Sequence, residues 1–93
     1  MIFEWDENKN RINKKRHGVS FEAAKYAFFD PCSITTFDRV VDGEERWHTI
    51  GGVNGVILFL VVHTTLENDS TEIIRIISAR RPTNRERKCY ENG

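Results

Sequence analysis

The chain is poor in the features that would anchor, staple or disorder a protein. Among its 93 residues are only two cysteines, two prolines and six glycines, and neither charge is in excess, since fourteen Lys and Arg balance fourteen Asp and Glu. Cys32 and Cys89 stand far apart in no CxxC or Cys/His spacing. That argues against a disulfide framework or a structural zinc site and suits two buried or idle thiols in a reducing cytoplasm. The scarcity of Gly and Pro excludes low-complexity and collagen-like chains. The longest apolar run, residues 56–62, is seven residues long, against roughly 20 for a membrane helix. The start, Met1-Ile2-Phe3-Glu4-Trp5-Asp6, turns charged at once and does not read as a signal peptide. A soluble cytoplasmic protein with no membrane partner is expected. HExxH, P-loop, GxGxxG and GxSxG patterns are all missing, so neither a metal nor a cofactor is expected.

Six Phe, two Trp and two Tyr are enough to build one core, and the length allows no second one, so a single domain over residues 1–93 is expected. Phe3-Glu4-Trp5 alternates and predicts a short strand. Asp6 is a good N-cap for a helix over 7–16, which Gly18 would close in the left-handed conformation. Ile12 is the only apolar residue within that helix, which predicts a lightly held surface element. Ser20 caps a second helix over 21–29, with Phe21, Ala24 and Phe28 on one face and Asp30-Pro31 as its stop.

From Ser33 onward the pattern changes to strands. Residues 33–41 lead to Asp42-Gly43, and Arg46 to Ile50 alternates before Gly51-Gly52-Val53-Asn54-Gly55, read as a turn. Residues 56–65 are apolar on both faces and predict a central strand. Residues 66–70 read as a loop, residues 72–78 as the last strand. Thr83 and Glu86 form a capping box for a C-terminal helix over 84–90. The fold class is therefore α+β, in the order β-α-α-β-β-β-β-α, with an antiparallel sheet packed by helices.

The zero net charge conceals a pattern. Residues 9–17 hold Lys9, Arg11, Lys14, Lys15 and Arg16 with no acid, a sum of +5. Residues 75–88 hold Arg75, Arg80, Arg81, Arg85, Arg87 and Lys88 against Glu86, again +5. Residues 26–74 hold Arg39 and Arg46 against eight acids, a sum of −6. If the two basic segments share a surface, the molecule has a basic pole able to bind a polyanion despite its neutrality.

Arg75 lies within the last strand and Arg80-Arg81 at its exit. Alternation puts Arg75 on the face of Ile77, opposite Ile74, Ile76 and Ser78. Arginine offers phosphate a planar, permanently charged fork, although an ion pair with Glu45 or Glu72 would also explain Arg75. Arg46 joins Arg75 if the register allows, and His63 is either a proton carrier or a satisfied core residue. Trp47 either stacks a base or packs in the core. RNA cleavage needs little more, because the 2′-hydroxyl is an internal nucleophile and the enzyme must orient it, take its proton and stabilise the phosphorane charge.

Phe3-Glu4-Trp5-Asp6, Lys15-Arg16-His17-Gly18-Val19-Ser20-Phe21-Glu22-Ala23-Ala24, Glu45-Arg46-Trp47 with Ile50-Gly51, Gly55, Val61-Val62-His63-Thr64, Arg75-Ile76-Ile77-Ser78-Ala79-Arg80-Arg81, Arg85-Glu86-Arg87 and Tyr90 occur in succession. Together they resemble the BrnT family of bacterial toxins. The resemblance covers nearly the whole chain and implies a RelE-like fold and ribonuclease activity that halts translation. It also implies a BrnA-type antitoxin with a ribbon-helix-helix DNA-binding domain, through which the pair would bind operator DNA. Arg46, His63, Arg75, Arg80 and Tyr90 are the candidate catalytic residues on this reading, and Lys15, Arg16, His17, Arg81 and Arg85 the candidate RNA contacts. A function of another class stays open: a non-catalytic partner or corepressor acting through protein and DNA contacts. So does a nuclease driven by His17, His48 and His63, provided those three converge.

Overall fold

The computed structural model describes residues 1–93. Strand β1 (Ile2–Glu4) is followed by helix α1 (Glu7–His17), the short helix α2 (Phe21–Ala24) and a 3-10 segment, Lys25–Phe29. Strands β2 (Ile34–Val41), β3 (Glu44–Val53), β4 (Ile57–Asn68) and β5 (Thr71–Arg80) then form an antiparallel meander, and α3 (Asn84–Glu91) ends the chain. The sheet order is β1-β5-β4-β3-β2, with β1 parallel to β5 at the edge. The α+β order read from the sequence is the order observed.

The local signals act as expected. The Asp6 carboxylate accepts from Lys9 N–H, Gly18 closes α1 at φ 71°, and Ser20 Oγ accepts from Ala23 N–H. The Thr83–Glu86 capping box is complete. Asp42-Gly43 and Asn54-Gly55 turn with positive φ at both residues, which matches the twist of the strands they join. Three expectations need correction. The second helix tightens to 3-10 after Ala24. Gly51 and Gly52 belong to β3 and not to a turn, because the 3-10 segment presses so closely on Gly51 that any side chain there would collide with the Ala27 carbonyl. Residues 66–68 continue β4, and the ladder runs to Asn68↔Thr71, leaving only Asp69 and Ser70 to turn at positive φ.

One face of the sheet carries the core. Phe59 and Val61 of β4 and Ile74, Ile76 and Ala79 of β5 pack against Val19, Phe21, Ala24 and Ala27. Phe3, Trp5 and Phe28 flank this cluster. Helix α1 is held here, but not by Ile12, which is exposed. Two buried asparagines hold it. Asn10 Oδ1 accepts from Phe21 N–H at 2.8 Å, and its amide donates to Glu22 at 2.8 Å. Asn13 donates to the carbonyls of Val19 and Ala79 at 2.9 and 2.8 Å and accepts from Ala79 N–H at 3.1 Å. Strand β1 covers β5 only from Ile73 to Arg75, so beyond it the β5 edge is bare. The Asn13 amide imitates a neighbouring peptide there and pairs both backbone groups of Ala79, which would otherwise be buried without partners.

Candidate functional site

The second face of the sheet is covered at one end only. There Tyr90 and Arg87 of α3 line a cavity with Gly52 and Leu58, and Ile50, Leu58 and Leu60 on this face are buried. Helix α3 itself buries no residue and is fastened at two points. Arg80 donates both terminal nitrogens to Glu86, at 2.8 and 3.0 Å, and Tyr90 Oη donates to Asp30 Oδ2. Asp30 also accepts from the N–H of Gly52 and of Cys32. The Arg80 guanidinium holds Glu86 down at about 2, and the Asp30 bond pushes the Tyr90 phenol up to about 12.

Towards the other end the face opens, and two β-bulges determine what it displays. Opposite β4 the register runs Val62↔Ser78 and then His63↔Ile76, which leaves Ile77 unpaired. This extra residue shifts the alternation by one. Ser78 therefore joins the face of Arg75, and Ala79 takes the core position expected for Ser78. Strict alternation would put Arg75 and Arg80 on opposite faces, and the bulge puts them on the same one. In β2 the register runs Phe37↔Trp47 and then Arg39↔Arg46, leaving Asp38 unpaired. Arg39 and Arg46 thus stand directly opposite each other, and the row continues through Thr64 to Arg75.

These arginines differ in what already holds them. Arg75 donates to both oxygens of Glu44 at 2.8 and 3.0 Å, in an ion pair that is exposed on both sides. The acid is Glu44, not Glu45 or Glu72 as expected, because the β3 register brings it to that end of the row. Arg39 lies 3.4 Å from Asp38. Arg80 is committed to Glu86 and to the Arg81 carbonyl. Arg46 is bound to no carboxylate, and its Nε is buried with no hydrogen-bond partner. His48, two residues along regular β3, projects from this same face and is half-buried. Only the three-histidine alternative had pointed to it.

His63 is not with them. It projects into the core face and is 1% exposed. Thr49 Oγ1 lies 2.8 Å from its Nε2, Thr65 Oγ1 lies 3.2 Å from its Nδ1, and the Phe28 ring meets it edge-on at 4.8 Å. Burial pushes its pKa from 6.5 to about 4, with Thr64 carbonyl acting weakly the other way. The imidazole is thus engaged on the opposite side of the sheet from Arg46, Arg75 and Arg80, and the structure does not bring His63 together with those candidates. His48 and His63 point to opposite faces and His17 closes α1, so the three histidines do not converge. Trp47 packs edge-on against Phe37 at 5.4 Å on the core face. Both cysteines are free and exposed, not buried. No group of His, Cys, Asp and Glu is arranged to hold a metal ion, and no helix is long and apolar enough to cross a membrane.

The two basic segments adjoin without forming one face. They meet where Asn13 clasps Ala79, but Arg75 and Arg80 project from the side of the sheet away from α1. Lys15, Arg16 and His17 are exposed on the last turn of α1, Arg81 is exposed just before α3, and Arg85 is exposed on its first turn. One acid of the middle segment, Glu44, pairs with Arg75 of the last basic segment.

A family model described as the ribonuclease toxin BrnT of type II toxin–antitoxin systems matches residues 5–86. The chain belongs to the BrnT family. Membership makes it a ribonuclease toxin and implies an antitoxin partner and an RNA target. The fold is similar to that of the crystal structure of the Brucella abortus ribonuclease toxin BrnT, with a TM-score of 0.61 and 22% sequence identity. The alignment covers 90% of this chain and 100% of that one. No curated protein matches the sequence.

Proposed function

We propose that the open, arginine-bearing face binds RNA and cuts it by attack of the RNA's own 2′-hydroxyl. The hydroxyl oxygen forms a bond to the adjacent phosphorus, the P–O5′ bond breaks, the departing 5′-oxygen takes a proton from solvent water, and a 2′,3′-cyclic phosphate and a 5′-hydroxyl end result. What supports this most is Arg46, a half-buried guanidinium without a carboxylate partner between other arginines of its row. In that position it can stabilise charge on the phosphorane, where water is partly excluded and each donor counts for more. Arg75 adds a second fork once phosphate displaces its exposed Glu44, since such surface pairs contribute little. His48, two residues from Arg46 on the same face of β3, offers an imidazole as general base, and we assign it the 2′-hydroxyl proton. Arg80, with both terminal nitrogens on Glu86, positions α3 at the border of the face. Tyr90, whose proton is held by Asp30, fastens the far end of that helix.

Cleavage of messenger RNA would stop translation. A BrnA-type antitoxin with a ribbon-helix-helix domain would cover the arginine face and carry the pair to operator DNA. The test is cleavage of unmodified RNA by the purified protein, alongside growth after induction. Wild type should cut and arrest growth, whereas Arg46→Gln should cut about 100-fold more slowly, as expected for one lost charge-stabilising donor. RNA left uncut by wild type, together with unaffected growth, would favour the non-catalytic corepressor role.

A further inference from the structure

The bulge at Asp38 changes the chemistry of the sheet in a specific way. A regular ladder past Phe37↔Trp47 would set Asp38 opposite Arg46, an opposite-charge cross-strand pair. The bulge sets Arg39 there instead, and like charges directly opposite in a sheet destabilise it. The arrangement also leaves the buried Arg46 Nε with nothing to donate to. Bulges re-aim side chains and are enriched beside functional sites. A dianionic or polyanionic ligand seated between two guanidinium groups would remove both costs, offsetting the repulsion and giving the Nε–H an acceptor.

We infer that Arg39 and Arg46, brought opposite each other by the Asp38 bulge, form a two-arginine seat for a backbone phosphate of single-stranded RNA. This inference rests on the reading of the open face as the RNA face and adds Arg39 to it. The seat is distinct from the Arg75 position, which lies on the other side of Thr64 in the row. RNA fits better than an acidic protein segment because the row offers several guanidinium forks in line across the strands, as successive phosphates require. The Asp38 contact, a single one at 3.4 Å from the Nε of an exposed Arg39, is weak enough to yield to phosphate.

Binding can be separated from cleavage with a short 2′-O-methyl oligoribonucleotide, which lacks the attacking hydroxyl. Arg39→Gln should weaken its binding about five- to tenfold and flatten the plot of log K against log salt by about one. The same substitution should raise the Tm of the free protein by about 2 °C, because it removes the like-charge pair. Asp38→Asn should move both readings the other way, with tighter binding and a lower Tm. Arg11→Gln, on the outer side of α1, serves as the control and should change neither.

An unchanged affinity and salt slope in Arg39→Gln would overturn the seat. So would a variant that keeps its RNA binding and loses only its hold on the antitoxin, which would point to an acidic protein segment. Cleavage by wild type alongside an unaltered Arg39→Gln slope removes the seat and leaves the ribonuclease mechanism standing. A wild type that binds the probe with the expected variant effects but cuts no RNA does the reverse.

Discussion

The two faces of one sheet show opposite ways of handling polar groups. On the core face every buried polar group is satisfied. Asn10 and Asn13 clasp backbone groups of Phe21, Val19 and Ala79, and Thr35, Thr49, His63 and Thr65 form a chain of hydroxyls and imidazole across three strands. On the open face Arg39 opposes Arg46 and one buried guanidinium nitrogen has no partner. The first arrangement maximises stability, because an unmet buried donor costs more than a made bond returns. The second leaves capacity for something that is not part of the chain. Departures from local consistency are expected at functional sites, and here they are concentrated on one side of the sheet.

Disturbing the satisfied face should have the largest effect on folding. Asn13→Ala leaves the Ala79 N–H and two carbonyls buried without their partners and should cost about 4 kcal/mol, read as a loss of denaturation midpoint. A loss under about 1 kcal/mol would mean that water replaces the amide and that α1 is held by something else. Proteolysis within α1 should rise in parallel, since Asn10 alone would then secure the helix.

His63 makes the same contrast visible through pH. Its folded pKa, about 4, lies below its ordinary 6.5, so the unfolded chain binds the extra proton between those values. Stability should therefore rise with pH across that window and fall as pH drops through it, by about 3 kcal/mol in total. His63→Gln should flatten this dependence in urea titrations from pH 4 to 7, and a dependence unchanged by that substitution would assign the titration to another group. Activity should depend instead on the open face, with His48→Gln depressing the rate.

The smallest expected effect lies at the border between the faces. Tyr90→Phe removes the bond to Asp30 and should cost about 1 kcal/mol, with faster hydrogen exchange in α3 than in β5. Because Glu86 still holds the first turn of α3 through Arg80, the helix should fray from its C-terminal end and not detach. Cleavage should fall only slightly, and a loss comparable to that of Arg46→Gln would instead place the phenol among the reacting groups.

The parts of this molecule that were legible in the sequence are those set within a few residues. Asp6, Gly18, Ser20 and the Thr83–Glu86 box fix helix ends because the bonded groups lie three or four positions away. Asp42-Gly43 and Asn54-Gly55 act through their own backbone preferences. The family was legible too, since a succession of short motifs survives where no single one is distinctive. The role of Asn13 was not, because its value lies in the bare edge of β5, 66 positions further along. His63 was legible only as a choice between two roles, and the packing of Phe28 and Thr49 around it made that choice.

The neutral net charge marks the same division. Sequence by itself determined the elements, their order, the antiparallel meander and the arginine-rich last strand, because composition and local preference control them. Only the tertiary structure decided which side of the sheet each arginine occupies. Strand side chains alternate with a period of two, so a single unpaired residue reverses every assignment beyond it. The bulges at Asp38 and Ile77 arise from the pairing of whole strands, and no local preference announces them. They bring Arg39 to Arg46 and Arg80 to the side of Arg75, while Glu44 reaches Arg75 from the acidic stretch. The last basic segment and the acidic middle thus interleave on one face, leaving Arg46 as the guanidinium of its row without an acid.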